Sequence, residues 1–386
     1  MISRRSRYGG SAAALAAVLL LPACSGDVSA RPSPPPAGQS LSGAEASRSR
    51  AAELEAGVTS LLVERMHLTV ATQAADEGDR SDLQAALDAS SASLAGLLGV
   101  AYDGSRDPLL RALRSVDQRA LQHADAVRSG DAGRVAAAVA GARTAEAELA
   151  VVVGRVAPRL PSGQVVERLQ GDLTAQLAVR GPDLYARLGE AARRAPDTAR
   201  LLTDGIVADR NLGPSGSRAA QLRAELTGLL TSHVLLSGAV SHEQVAGGRP
   251  QGAEAALRAN GNQLSAVLGG AYPTLPLQFG PSWRAHVERV IVLARSTAGA
   301  QATAERRSVL DYPTKLGALL ARYVGGLPAT TTADEIAPML TALVRLVDAE
   351  GRAEPDVADL MRRTSASVPA VAALLAAAIA QDRRFT

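Results

Sequence analysis

The chain has 386 residues, a formal net charge of +3, 47% apolar residues and only 2% aromatics. Its arginines alternate with aspartates and glutamates instead of clustering, which speaks against the basic footprint of a nucleic-acid-binding protein. A single cysteine, Cys24, excludes an internal disulfide and a thiolate metal centre. Ala, Leu, Val and Arg dominate and Lys315 is the sole lysine, so the composition predicts a core of small and medium side chains on closely approaching helices.

Residues 1–23 have the layout of a signal peptide. Arg4, Arg5 and Arg7 form a positive beginning, and Ala12 to Leu21 form an apolar run too short to span a bilayer comfortably. Leu21-Pro22-Ala23-Cys24 follows, with leucine at −3 and a small residue at −1. This resembles the lipobox of bacterial lipoproteins, although Pro22 departs from the usual residue at −2. The resemblance implies cleavage before Cys24, a diacylglycerol in thioether linkage on its sulfur and a fatty acyl group such as palmitate on the new amino terminus. It implies a protein held at the cell membrane on its extracytoplasmic face, since two or three buried chains anchor far more firmly than one. Ser3-Arg4-Arg5 also points toward twin-arginine export, with Arg7 standing where that motif prefers an apolar residue.

Residues 24–43 are rich in Pro, Ser, Ala and Gly and read as a disordered tether. Beyond them no apolar run is long enough to span a bilayer. Val368 to Ala380 comes nearest, is flanked by Ser367 and Gln381-Asp382-Arg383, and reads as a buried closing helix.

Ala85-Ala86-Leu87 followed by Leu94 to Tyr102 recurs as Ala255-Ala256-Leu257 followed by Leu264 to Tyr272, 170 residues on. Val58-Thr59-Ser60-Leu61-Leu62 matches Leu226-Thr227-Gly228-Leu229-Leu230, and Asp209-Arg210 matches Asp382-Arg383. The small drift in offset indicates duplication of a helical unit, with copies at 44–210 and 218–386 joined by a turn-rich linker at 211–217. Leu222, Leu226, Leu229, Leu230 and Val234 follow the spacing of one helical face. Ser81-Asp82 and Arg106-Asp107-Pro108 read as helix starts, and Ser129-Gly130 and Gly247-Gly248 as stops. In the second unit helices are expected near 218–246, 251–271, 279–298, 300–325, 333–350 and 354–381. The fold class is therefore all-α: two tandem up-down helical bundles, each a four-helix core with an extra helical hairpin. They would form two domains, or one elongated body if their apolar edges meet.

No nucleophile elbow, phosphate-binding loop or dinucleotide fingerprint occurs. His242-Glu243 begins like a zincin helix, but Ala246 stands where the second histidine belongs. One constellation remains. Counting about 1.5 Å per residue from the expected turns brings His233, Asn260, His286 and Tyr312 to one height in the second unit, with Asn262, Trp283 and Asp311 nearby. Such a layer is where helical bundles place metals or cofactors. Buried His and Asn can equally satisfy one another and fix helix register, and Asp311 is the only carboxylate in view. Aligned positions of the first unit carry Arg65, Ser90, Leu113, Val116 and Ala142, in place of His233, Asn260, Trp283, His286 and Tyr312. One copy thus dispenses with the layer, as a specialised site or a polar network replaced by apolar packing would both require. His67 and His123 read as surface or interhelical residues, and Arg193-Arg194 and Arg306-Arg307 as solvated faces.

The pattern Leu229-Leu230-x-x-His233-Val234, Ala256-Leu257-x-x-Asn260, Gly270-Ala271-Tyr272 and Trp283-Arg284-x-His286-Val287 is similar to a group of secreted helical proteins of Gram-positive bacteria with tandem units. That resemblance supports an all-helical envelope protein and brings no catalytic residue. The expected function is a non-enzymatic binding or scaffold module with envelope protein partners. The alternative is a carrier of a transition metal or small ligand in the layer of the second unit.

Overall fold

The computed structural model describes residues 43–385 apart from short connections at 76, 101, 103, 161, 211, 213–215 and 297–298. The expected signal peptide, Cys24 and nearly all of the tether lie outside the described residues. In chain order the helices are α1 (Gly43–Ser47), α2 (Arg50–Ala74), α3 (Glu77–Gly99), α4 (Arg106–Ser129), α5 (Ala132–Val156), α6 (Ser162–Leu177), α7 (Leu184–Ala192) and α8 (Ala195–Arg210). There follow α9 (Arg218–Val245), α10 (Gln251–Ala271), α11 (Pro276–Arg295), α12 (Gly299–Leu310), α13 (Tyr312–Leu320), α14 (Ala329–Glu350), α15 (Val357–Ala366) and α16 (Val368–Asp382). No strand occurs among the described residues, and the protein is all-α.

Local chemistry sets where these helices begin and end. Ser49 and Ser217 cap α2 and α9 identically, each side chain accepting a bond of 3.1 Å from the amide three residues on. Gly130 and Gly247 take left-handed φ angles of 69° and 68°, so both expected stops lie where only glycine enters without strain. Helix α4 starts at Arg106 as expected, whereas Ser81-Asp82 lies one turn inside α3. Two expected helices are broken. The span 300–325 divides at Asp311, because Pro313 occupies the first turn of α13 and cannot extend α12. The span 354–381 divides at Ser367 for the same reason, with Pro369 opening α16.

The two halves of the described chain contribute to one large apolar cluster, and the first half keeps two further clusters of its own. Leu68, Leu83 and Leu87 of the first half belong to the same apolar cluster as Leu226, Val234, Leu257 and Leu375 of the second. At its centre α2 and α9 run side by side in one direction. The Ser47 carbonyl before α2 accepts from Arg223 at 2.9 Å, and further along both helices Ser60 meets Thr231 at 3.3 Å, hydroxyl to hydroxyl. Between these points Gly228 faces the Thr59 methyl, which would stand 3.3 Å from a Cβ placed there. From 226 to 241 helix α9 has no exposed residue, as the middle of a central helix requires. By length and composition Val357–Asp382 could cross a membrane. Here it is bent at Ser367, and Val368, Ala372, Ala376 and Ile379 are fully covered, which makes α16 a core helix.

The halves close in the same way. The Tyr102 hydroxyl donates to Asp209, joining the end of α3 to the end of α8, and the Arg210 guanidinium lies 5.0 Å from the Tyr102 ring centre. The Tyr272 hydroxyl donates to Asp382 at 2.6 Å, joining the ends of α10 and α16, with Arg383 5.3 Å from its ring. Each latch combines a charge-assisted bond with a cation over a ring.

The central approach is testable. Gly228→Leu should destabilise the protein by about 1–3 kcal/mol through overpacking. Gly96→Ala, whose added carbon meets nothing, should gain up to roughly 1 kcal/mol. Urea unfolding followed by circular dichroism reads both; equal effects would show that the fold does not depend on the close contact of α2 with α9.

Candidate functional site

The polar residues of the second half come together as rings. Trp283 and His286 are one turn apart on α11 and share a face, with Phe279 a turn earlier. His233 projects from the middle of α9, and Tyr312 is the first residue of α13, where Pro313 redirects the chain. Ring centres lie 4.9 Å apart for His233 and Trp283, 5.5 Å for His233 and His286, and 5.1 Å for Trp283 and His286. His286 stacks on Tyr312 at 4.4 Å, and Phe279 on Trp283 at 5.4 Å. Gly261 makes this possible from the α10 side, since a Cβ there would meet the indole at 2.9 Å.

Asn260 stands at the edge of this stack and donates to the Leu229 carbonyl, one turn before His233, at 3.0 Å. Ser282 bonds the Tyr312 hydroxyl at 3.2 Å. The expected neighbours Asn262 and Asp311 are exposed and outside the layer. Phe279 and Ser282 were not expected in it; the i, i+4 spacing of Phe279 to Trp283 was the available signal.

His233 is 0% exposed and neither nitrogen of either layer histidine has a hydrogen-bond partner in the protein. The Trp283 Nε1 and Asn260 Oδ1 are likewise unpaired. Burial pushes His233 down to about 4. It pushes His286 well below its ordinary value, helped by the charge that His233 and Arg289 would present. Both imidazoles are therefore neutral at pH 7, held by ring contacts worth about 0.5–1.5 kcal/mol each beyond area burial. A metal ion here would find two imidazoles and no anionic ligand. Among the described residues no group of three or more His, Cys, Asp or Glu is disposed to hold one.

The corresponding level of the first half is not wholly apolar. Leu113 and Val116 are there, but Arg65 pairs with Asp117 at 2.5 Å and donates to Ser91 at 3.0 Å. Ser91 in turn donates to the second Asp117 oxygen at 2.5 Å. On α6, Asp172 receives Arg194 at 2.7 Å and the Thr198 hydroxyl. Beside these pairs lies a cavity of about 60 Å³, lined by Arg65, Asp117, Glu146, Asp172 and Gln176 and by leucines and valines including Leu113, Leu149 and Val153. Glu146 is 6% exposed and its Oε2 has no partner. These carboxylates escaped the alignment because they sit one or four residues beyond the aligned apolar positions. Their signal was a charge inside an apolar stripe: Glu146 among Ala142, Ala145, Leu149 and Val153, and Asp117 among Leu113, Val116 and Ala120.

The remaining expectations fall elsewhere. His67 and His123 are both buried between helices and not on the surface. His242 approaches Glu350 at 3.1 Å, and Arg194 and Arg306 are partly covered, paired with Asp172 and Asp348. Compared with protein-family models, curated proteins and solved structures, the chain matches none.

The layer makes a signed prediction. A histidine with a lowered folded pKa adds stability fully above its unfolded value and loses it as pH falls toward the folded one. The His233→Phe protein should therefore lack part of the wild-type loss of stability between pH 6.5 and about 4, a difference on the order of 3 kcal/mol across that window. Denaturant midpoints measured against pH for both proteins check this; parallel curves would mean that His233 is not buried neutral.

Proposed function

We propose that the protein is a lipid-anchored, non-enzymatic binding module of the bacterial cell envelope. Cys24 carries the lipid at the extracytoplasmic face, the tether spaces the body from the membrane, and the body consists of two tandem copies of one helical unit. The lipobox-like Leu21-Pro22-Ala23-Cys24 supports the anchor. The matching serine caps and the two Tyr–Asp–Arg latches support the duplication. The similarity to secreted helical proteins of Gram-positive bacteria fits the same location.

The observation that carries the binding role is the cavity in the first half. It lies where the second half is packed with rings, it borders an unpartnered buried carboxylate, and it has room for several waters or one small guest. The two copies then have divided roles, one closed for stability and one open to a ligand. Envelope protein partners would meet the outer helix faces.

Anchoring and binding are tested separately. Cys24→Ser should move the protein from the membrane fraction to the soluble fraction, and retention on the membrane would refute the lipid anchor. Native mass spectrometry of the full chain from membranes should show a small bound species. Leu113→Trp, which fills the cavity, should remove it, whereas His286→Phe should not. A wild type that carries nothing, also after exposure to envelope extract, would refute the binding role.

A further inference from the structure

With Glu146 ionised, the charges around the first-half cavity would not balance: three carboxylates, Asp117, Glu146 and Asp172, would face two guanidiniums, Arg65 and Arg194. Arg65 is committed to Asp117 and Ser91, and Arg194 to Asp172, which also holds the Thr198 hydroxyl. Glu146 remains, buried on α5 with Oε2 unpartnered, facing Arg65 from α2, Asp117 from α4 and Asp172 from α6. In its ionised form a buried carboxylate without a partner is costly, so it either keeps its proton or takes one further positive charge beside it.

The surroundings narrow what supplies that charge. An anion would meet the Asp117 and Asp172 carboxylates. A divalent metal would lack ligands, since no group suited to one exists among the described residues, and the leucine and valine walls cannot replace a hydration shell. An ammonium ion brings one charge and several N–H donors, and Glu146, Asp172 and Gln176 all line the same cavity as acceptors. Its carbon substituent would lie on Leu113, Leu149 and Val153. An apolar cavity of about 150 Å³ holds a benzene ring, so this smaller one fits roughly two or three non-hydrogen atoms by the same measure.

We infer that the first-half cavity binds a small aliphatic ammonium ion, with Glu146 as its counter-ion and the leucine and valine wall receiving its carbon. This rests on the reading of the protein as a binding module and names the ligand class of that site. Without a guest, burial pushes the Glu146 carboxyl up to about 8, with Asp172 and Asp117 adding and Arg65 opposing. The acid is thus mostly protonated at pH 7. Entry of the cation transfers that proton to buffer and leaves a carboxylate–ammonium pair, so atoms and charge balance.

The test uses the full chain in detergent, labelled with carboxyl-¹³C glutamate and titrated with ethylammonium chloride at pH 7. The resonance absent from Glu146→Gln belongs to Glu146. It should move saturably from the protonated to the ionised position, and the variant should bind ethylammonium more weakly by about tenfold or more. Potassium chloride and ethanol serve as a bare cation and a neutral analogue of equal size. A response to ethanol equal to that of ethylammonium would overturn the ammonium class and leave the binding role standing. An equal response to potassium would assign the site to a bare monovalent cation and overturn the proposal in the same way. A Glu146 resonance that moves with none of the three overturns the proposal, and together with an empty protein in native mass spectrometry it overturns the binding role too.

Discussion

The close approach of α2 and α9 is the contact on which the rest of the structure depends. A chain with so few aromatics, and no disulfide among its described residues, must gain stability from the number of its short-range contacts. Gly228 against Thr59 and Ser60 against Thr231 let two long helices lie at small-residue distance. Once they do, each presents its remaining faces to the helices of its own half. The shared core with Leu68 and Leu87 beside Leu226 and Leu257 follows from that contact. Arg223, reaching from α9 to the Ser47 carbonyl, adds a polar tie along this contact, and Arg362 of α15, 3.5 Å from Glu64 of α2, adds another between the halves.

At the level above this seam the two halves solve one packing problem by different chemistry. Where α9 has His233, α2 has Arg65. The imidazole stays neutral, so its neighbours can be rings, and Trp283, His286 and Tyr312 fill the volume. A guanidinium stays charged in any protein environment and must have a counter-ion, which Asp117 supplies on α4. One carboxylate attracts further polar groups, Ser91 directly, and leaves small polar spaces that leucines cannot close. A cavity beside Arg65 and a solid ring stack beside His233 thus accompany a coordinated set of differences, with Leu113, Val116 and Ala142 standing where the second half has Trp283, His286 and Tyr312.

Much of this was legible in the residues. The 3.6-residue spacing of Leu222, Leu226, Leu229 and Val234 defined the buried faces of α9, and the positive-φ glycines marked its stop and that of α4. Counting from turns placed His233, His286 and Tyr312 at one height, because helical rise is uniform. The divisions at Asp311 and Ser367 were less evident, since proline within the first turn of a new helix looks like proline kinking an old one. Packing between the halves was hidden by composition: an alanine-rich face that meets another helix reads the same as one that meets its own bundle. The carboxylates of the first half were concealed by alignment to the second, which compares positions one to one while the charges had shifted along the helix.

The two levels also oppose one another in their response to pH. The buried neutral histidines favour the fold increasingly as pH rises from about 4 to 6.5, since only the unfolded chain takes up protons there. His67, pushed down to about 3 by burial, acts in the same sense. Glu146 acts in reverse. Its folded carboxyl keeps a proton that the unfolded chain loses above about 4.5, so it withdraws stability as pH rises toward about 8. Glu55, raised to about 7 by burial against α8, does likewise. Between about 4.5 and 6.5 the two slopes cancel in part, and above 6.5 the slope of the neutral histidines ends while that of Glu146 and Glu55 continues. A positive charge beside Glu146 would remove its share of that decline by letting the folded state hold the ionised form. The open half would then be stabilised by its guest in the neutral range where the closed half has no further contribution to make.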